Sequence, residues 1–164
     1  MTSLKPLVLS IGLAASTAAC ISVDNTRLVN EAPEIENNMQ PKLSSASFEE
    51  TRTRIENALE ARGLTVFAVV DHAAGARAAS LTLPENTLFI FGNPKAGTPL
   101  MAENPQLGLD LPLKISVYED GDEVYVLSSD IRAITARAQV SEPAAVLDKI
   151  ETVLAGIVEE ATSN

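Results

Sequence analysis

Residues 88–101, Leu-Phe-Ile-Phe-Gly-Asn-Pro-Lys-Ala-Gly-Thr-Pro-Leu-Met, constrain the fold more than any other stretch of this chain. A strand-length apolar run ends at Gly92, and a bend rich in Gly, Pro and Asn follows, so a core strand must turn sharply there. The bend carries Lys95, the only lysine between Lys42 and Lys114. Thr98 is a good N-cap and Pro99 suits the first helical position, which predicts a short helix to Glu103 stopped by Asn104-Pro105. The alternative, Asn93 as cap with Pro94 at N1, places Pro99 inside the helix, where a backbone donor is lost.

The flanking elements follow from periodicity. Ser47 and Glu50 form a capping-box pattern, Phe48, Thr51, Ile55, Ala58 and Leu59 recur on one helical face, and Gly63 ends that helix. Residues 64–70 are apolar at both alternating sets of positions, the pattern of an interior strand covered on both sides or closely approached by neighbours. Residues 73–79, nearly all alanine, predict a short helix or turn packed closely through small side chains. After the bend, Gly108 and Pro112 frame a second loop. Leu113, Ile115 and Val117 then alternate with polar neighbours, and Asp120-Gly121 leads into residues 123–128, a hairpin. Asp130 caps a helix to about Ala138. Ser141-Glu142-Pro143 opens a last helix with the stripe Val146, Leu147, Ile150, Val153, Leu154, Ile157 and Val158. With a short strand near residues 39–43, these elements predict a single two-layer α+β domain: a small, mostly antiparallel sheet of four or five strands packed against helices.

The N-terminus has a different character. Lys5 precedes an apolar run over residues 7–15, too short for a bilayer core of about 30 Å and of the length of a signal-peptide core. Ala18-Ala19-Cys20 resembles the bacterial lipobox, whose cysteine is acylated and becomes the first residue of the mature protein. Ordinary cleavage after Thr17-Ala18-Ala19 is the alternative. Residues 21–39, rich in Asn and Glu and without periodicity, read as a tether spanning roughly 25 Å. The organisation is therefore a signal peptide at 1–19, a lipidated tether at 20–39 and one domain at 40–164. The chain is expected on the periplasmic side of a bacterial envelope, held to the outer membrane through Cys20. A formal charge of -10 excludes nucleic acid as a partner, because phosphate binding needs clustered Lys and Arg. It also disfavours anionic headgroups, so membrane attachment should be covalent.

Three segments in order, Phe67 to Ala74, Ile90 to Met101 and Gly108 to Lys114, resemble the Domain of Unknown Function 302 family. The resemblance runs from about Phe48 to Ser129. It implies a small α+β domain and a homodimer, and it brings no established activity.

The chemistry can be narrowed further. His72 is the only histidine, and Cys20, the only cysteine, belongs to the anchor, so His and Cys zinc sets cannot be assembled within one subunit. Neither a metal nor a cofactor is expected. Residues 92–98 have the outline G-x-x-x-x-G-T, but Lys95 is displaced from the phosphate-loop position and Pro94 and Pro99 remove backbone donors, which excludes nucleotide hydrolysis. No G-x-S-x-G elbow is present. The candidate ligand-binding residues are His72, Asn93, Lys95, Thr98, Asp110 and Lys114, with Asp110 free to pair with Lys114 or Lys95. The bend is read either as a rigid turn or as a positive rim for a small anion. Three functions follow: a non-enzymatic envelope domain binding a small ligand or protein through the two loops, a hydrolase or isomerase using His72 and Asp110, or a structural dimer.

Overall fold

The structure, a computed structural model, describes residues 40–140 and 144–163. The chain divides into two units, Met1–Glu34 and Ile35–Asn164, and every element below belongs to the second. The signal segment, Cys20, the whole of the tether and the Ser141-Glu142-Pro143 helix opening lie outside the described residues.

In order, the elements are β1 (Lys42–Leu43), α1 (Phe48–Ala61), β2 (Thr65–Asp71), α2 (His72–Ala78), β3 (Asn86–Gly92), α3 (Pro94–Glu103), a 3-10 turn (Pro105–Leu109), β4 (Leu113–Asp120), β5 (Glu123–Ser128), α4 (Ile131–Arg137) and α5 (Ala144–Thr162). The five strands form one antiparallel sheet in the order β1-β5-β4-β3-β2. The fold is a two-layer α+β architecture. Local chemistry sets most boundaries. The Ser47 hydroxyl accepts from the Glu50 N–H at the start of α1, and Gly63, at φ +61°, follows its end. Gly121 takes φ +63° at the first central position of the β4–β5 hairpin, where a Cβ would be strained. The Asp130 carboxylate accepts from the Ala133 N–H at 3.0 Å and caps α4.

The main core lies between one face of β3, β4 and β5 and the pair α1 and α5. Phe89 pairs with Ile115 and Val117 with Val126, so their side chains share the covered face. Ile55 and Leu59 of α1 and Leu154 and Ile157 of α5 close over them. Each such buried side chain stabilises the fold by about 1.5–3 kcal/mol relative to exposure. A second cluster, Leu100, Leu107, Leu111, Ile131, Ile134, Val140 and Leu147, gathers α3, the 3-10 turn, α4 and the start of α5, and Leu113 and Ile150 touch both clusters.

Three expectations need correction. Strand β2 is not interior: it is the sheet edge, and all seven of its residues are exposed. The helical layer covers β3 to β5 and stops short of β2, so Val66 and Val69 lie half-exposed beside the buried Phe91 and Phe89 they pair with. In α2 only Ala73 is buried, so the alanine stretch does not pack closely along its length. Helix α3 starts at Pro94 rather than Pro99. The Asn93 side chain accepts from the Lys95 N–H at 2.9 Å, and its carbonyl accepts from the Ala96 and Gly97 N–H groups, which holds the earlier start with Pro99 inside the helix.

Candidate functional site

Because Phe91 pairs with Leu113, the bend after β3 and the loop before β4 leave the sheet side by side at the same end. They enclose a cavity of about 740 Å³ between the two hydrophobic clusters. Phe91 and Leu154 of the main core form one wall, and Leu100, Leu111 and Ile131 of the second cluster form the other. Gly92 and Gly97 lie on the wall formed by the bend, and Leu64 and Phe67 border it on the β2 side. Phe67 is the extra residue of a β-bulge, where the β2–β3 register shifts between Val66 and Ala68. The start of α5 contributes Val146, Lys149, Ile150 and Val153. Among the described residues, Lys149 is the one charged side chain on the lining. The volume lies within the range of small-molecule sites, and the apolar wall with few polar groups is the usual composition of one.

The candidate residues separate into three groups. Asn93 and Thr98 line the cavity. Lys95, Asp110 and Lys114 sit at the same end of the sheet but outside the lining. Lys114 donates from Nζ to the Asp110 carbonyl at 2.6 Å and the Pro112 carbonyl at 3.1 Å, bracing the second loop, whose Leu111–Pro112 peptide is cis. The Asp110 carboxylate is 2.6 Å from Arg137, so its ion-pair partner is on α4 rather than Lys114 or Lys95. His72 lies elsewhere: it starts α2 at the far end of β2, roughly 20 Å along the strand from Gly92 at about 3.3 Å per residue. The adjacent Asp71 caps α2, accepting from the Ala74 N–H at 2.7 Å. An acid–base pair of His72 and Asp110 therefore has no common site in this chain. Among the described residues, no group of three or more His, Cys, Asp or Glu could hold a metal ion.

The carbon-lined cavity itself was not foreseen. A signal for it exists in α5: the stripe is broader than one sheet face requires, with Leu147, Leu154 and Ile157 buried while Val146, Ile150 and Val153 flank them along the cavity. Lys149, within that stretch, is the polar residue the sequence reading missed.

A two-layer α+β domain that opens an apolar pocket between its sheet end and its last helix is the class defined by this geometry. The sequence profile of the Domain of unknown function DUF302 family matches residues 21–161, and the chain belongs to that family. The crystal structure of an uncharacterized conserved protein DUF302 from Bacillus stearothermophilus superposes with a TM-score of 0.66 at 20% identity, covering 74% of this chain and 96% of that one. At that identity the likeness is one of fold. Two curated proteins named fluoride-specific ion channel FluC 1, from Brucella suis biovar 1 (strain 1330) and Brucella abortus biovar 1 (strain 9-941), are 46% identical over 78 residues. That stretch is 48% of this chain but 31% and 29% of the two relatives, so the match spans about three-tenths of their length.

Proposed function

We propose that this domain binds an apolar small molecule, without chemical transformation, in the cavity below α3, and that it does so at the cell envelope on a lipid anchor at Cys20. The observation that carries the binding reading is the lining: about 740 Å³ bounded by carbon, with Asn93, Thr98 and Lys149 as its polar groups. An unfilled apolar hollow of this size forfeits dispersion contacts on its walls, and a ligand restores them. The bends after β3 and before β4 act as the rim, as the small-ligand reading of the sequence expects. Support for the envelope comes from the lipobox-like Ala18-Ala19-Cys20, and the family match begins at residue 21, directly after that cysteine. Kinship with part of two channel proteins also favours a station beside a membrane. The ion in their name is not carried over. A fluoride ion leaving water needs several N–H or cationic partners, which this wall does not offer.

The test uses N-phenyl-1-naphthylamine, an uncharged probe that fluoresces in apolar surroundings. Saturable binding at one probe per chain is expected. A Cβ at Gly97 would meet only Leu111 Cδ1 at 3.9 Å and Met101 Cε at 4.0 Å, so Gly97→Leu can grow into the cavity without a backbone clash. That variant should lose probe binding at least tenfold while its melting temperature stays within a few degrees. Binding that is absent in the wild type, or unchanged in Gly97→Leu, would overturn the reading.

A further inference from the structure

We infer that the molecule held in this cavity is a long-chain monocarboxylate, with its alkyl chain among the carbon walls and its carboxylate on the ammonium of Lys149 at the mouth. The inference rests on the reading of the cavity as a binding site and adds the chemistry of one end of the ligand. It begins from a mismatch of charge. The chain carries 22 Asp and Glu against 12 Lys and Arg, yet among the described residues the lining holds no carboxylate and one cation, the exposed Lys149. A single positive charge at the entrance of a carbon-walled hollow, in a protein otherwise negative, favours the opposite sign at that point.

Neighbouring side chains leave this ammonium uncompensated. Three and four residues away along α5, where a helical partner would stand, are Ala145, Val146, Thr152 and Val153, none of them acidic. The acidic residues beside it, Asp148 and Glu151, are both bound to Arg132 of α4, Glu151 at 2.7 Å. Among the described residues no ion pair reaches Lys149. Ala145, Val146 and Val153 line the cavity with it, and a lysine in such company runs its stem along carbon while its ammonium stays wet. The other polar groups on the lining have donors to offer. The Asn93 oxygen is committed to the Lys95 N–H at 2.9 Å, which leaves the amide NH2, and the Thr98 hydroxyl can donate.

The donor set fits one negative charge rather than two. A phosphate monoester carries about -1.5 to -2 at neutral pH and calls for a second cation or a run of free backbone N–H groups. Arginine is absent from the lining among the described residues, and at the start of α3 the Ala96 and Gly97 N–H groups already donate to the Asn93 carbonyl. A carboxylate needs less. Held at an exposed mouth it keeps part of its water, so its charge is not stranded in the apolar interior.

The test is displacement of N-phenyl-1-naphthylamine from the full chain by laurate and by dodecanol, which share an alkyl chain and differ in charge. A charge-assisted hydrogen bond at the mouth should make laurate bind about tenfold more tightly than dodecanol. Lys149→Met should abolish that preference, and Lys149→Arg, which keeps the charge, should retain it. Lys149 is exposed, so both variants should keep the wild-type circular dichroism spectrum. A wild type that takes up neither the probe nor either competitor would overturn the cavity reading and this inference with it. Probe binding with laurate and dodecanol held equally, a preference that survives Lys149→Met, or one lost equally in Lys149→Met and Lys149→Arg would overturn this inference alone. Tighter binding of dodecyl phosphate than of laurate would overturn the choice of a carboxylate.

Discussion

Arg62 does more for the helical layer than its position at the end of α1 suggests. It donates from Nη1 and Nη2 to Glu160 on α5 at 2.9 and 2.5 Å, donates to the Ala58 carbonyl at 3.0 Å, and lies over Gly156, where a Cβ would come within 3.0 Å of Nη2. A side chain at Gly156 would press the guanidinium away from the α5 backbone by a few tenths of an ångström. The hydrogen bonds from Arg62 hold the Glu160 carboxyl below its ordinary value of 4.5, and Lys42 together with Ser163 does the same for Glu159. A carboxyl depressed in the folded state contributes stability above its unfolded value and loses it as pH falls through the folded one. The stabilising effect of these bridges is therefore present above pH 4.5 and fades below it. Glu160→Gln should lower the melting temperature at about pH 7 and leave it close to wild type at about pH 3. An equal decrement at both values would assign the effect to packing instead.

Among elements, α3 shows how closely matched two helix starts can be. Thr98-Pro99 and Asn93-Pro94 are both cap-and-proline pairs, and the order of residues alone favours the later one because it keeps proline out of the helix interior. The earlier start prevails: Asn93 supplies both a side-chain and a main-chain acceptor, and Leu100, buried in the second cluster, is reached by a helix already under way. The cost falls at Pro99, which gives the Lys95 carbonyl no i+4 donor. Pro99→Ala should accordingly stabilise the domain by about 1–3 kcal/mol, measured by urea unfolding. A neutral or destabilising result would restore Pro99 to a first-turn position. Elsewhere the local signals were sufficient. The buried set of α1 is the apolar face read from its spacing, and the β4–β5 hairpin turns at Asp120-Gly121 as its residues demand.

At the scale of the whole molecule, anchor and domain are one proposal with separable parts. If Cys20 is acylated, labelling cells with radioactive palmitate should mark the chain, and Cys20→Ala should lose the label and fractionate away from membranes. A variant that still carries label would remove the anchor while leaving the cavity reading untouched. Among the described residues no helix is long and apolar enough to cross a membrane, so the described fold supplies no helical span of its own.

The sequence by itself determined the elements that depend on near neighbours: the α1 face, the hairpin, the Asp130 cap, the stripe of α5 and the two-layer class they compose. It also carried the family resemblance, because three motifs survive as local strings. Tertiary structure decided what depends on residues distant in sequence. It placed β2 at an edge, since an apolar strand reads alike whether its neighbours come from its own chain or from outside. It put His72 at the opposite end of the sheet from Asn93, since strand register is a long-range pairing. It opened a cavity between two clusters that no single segment contains, because a void is a property of how side chains from several elements fail to meet.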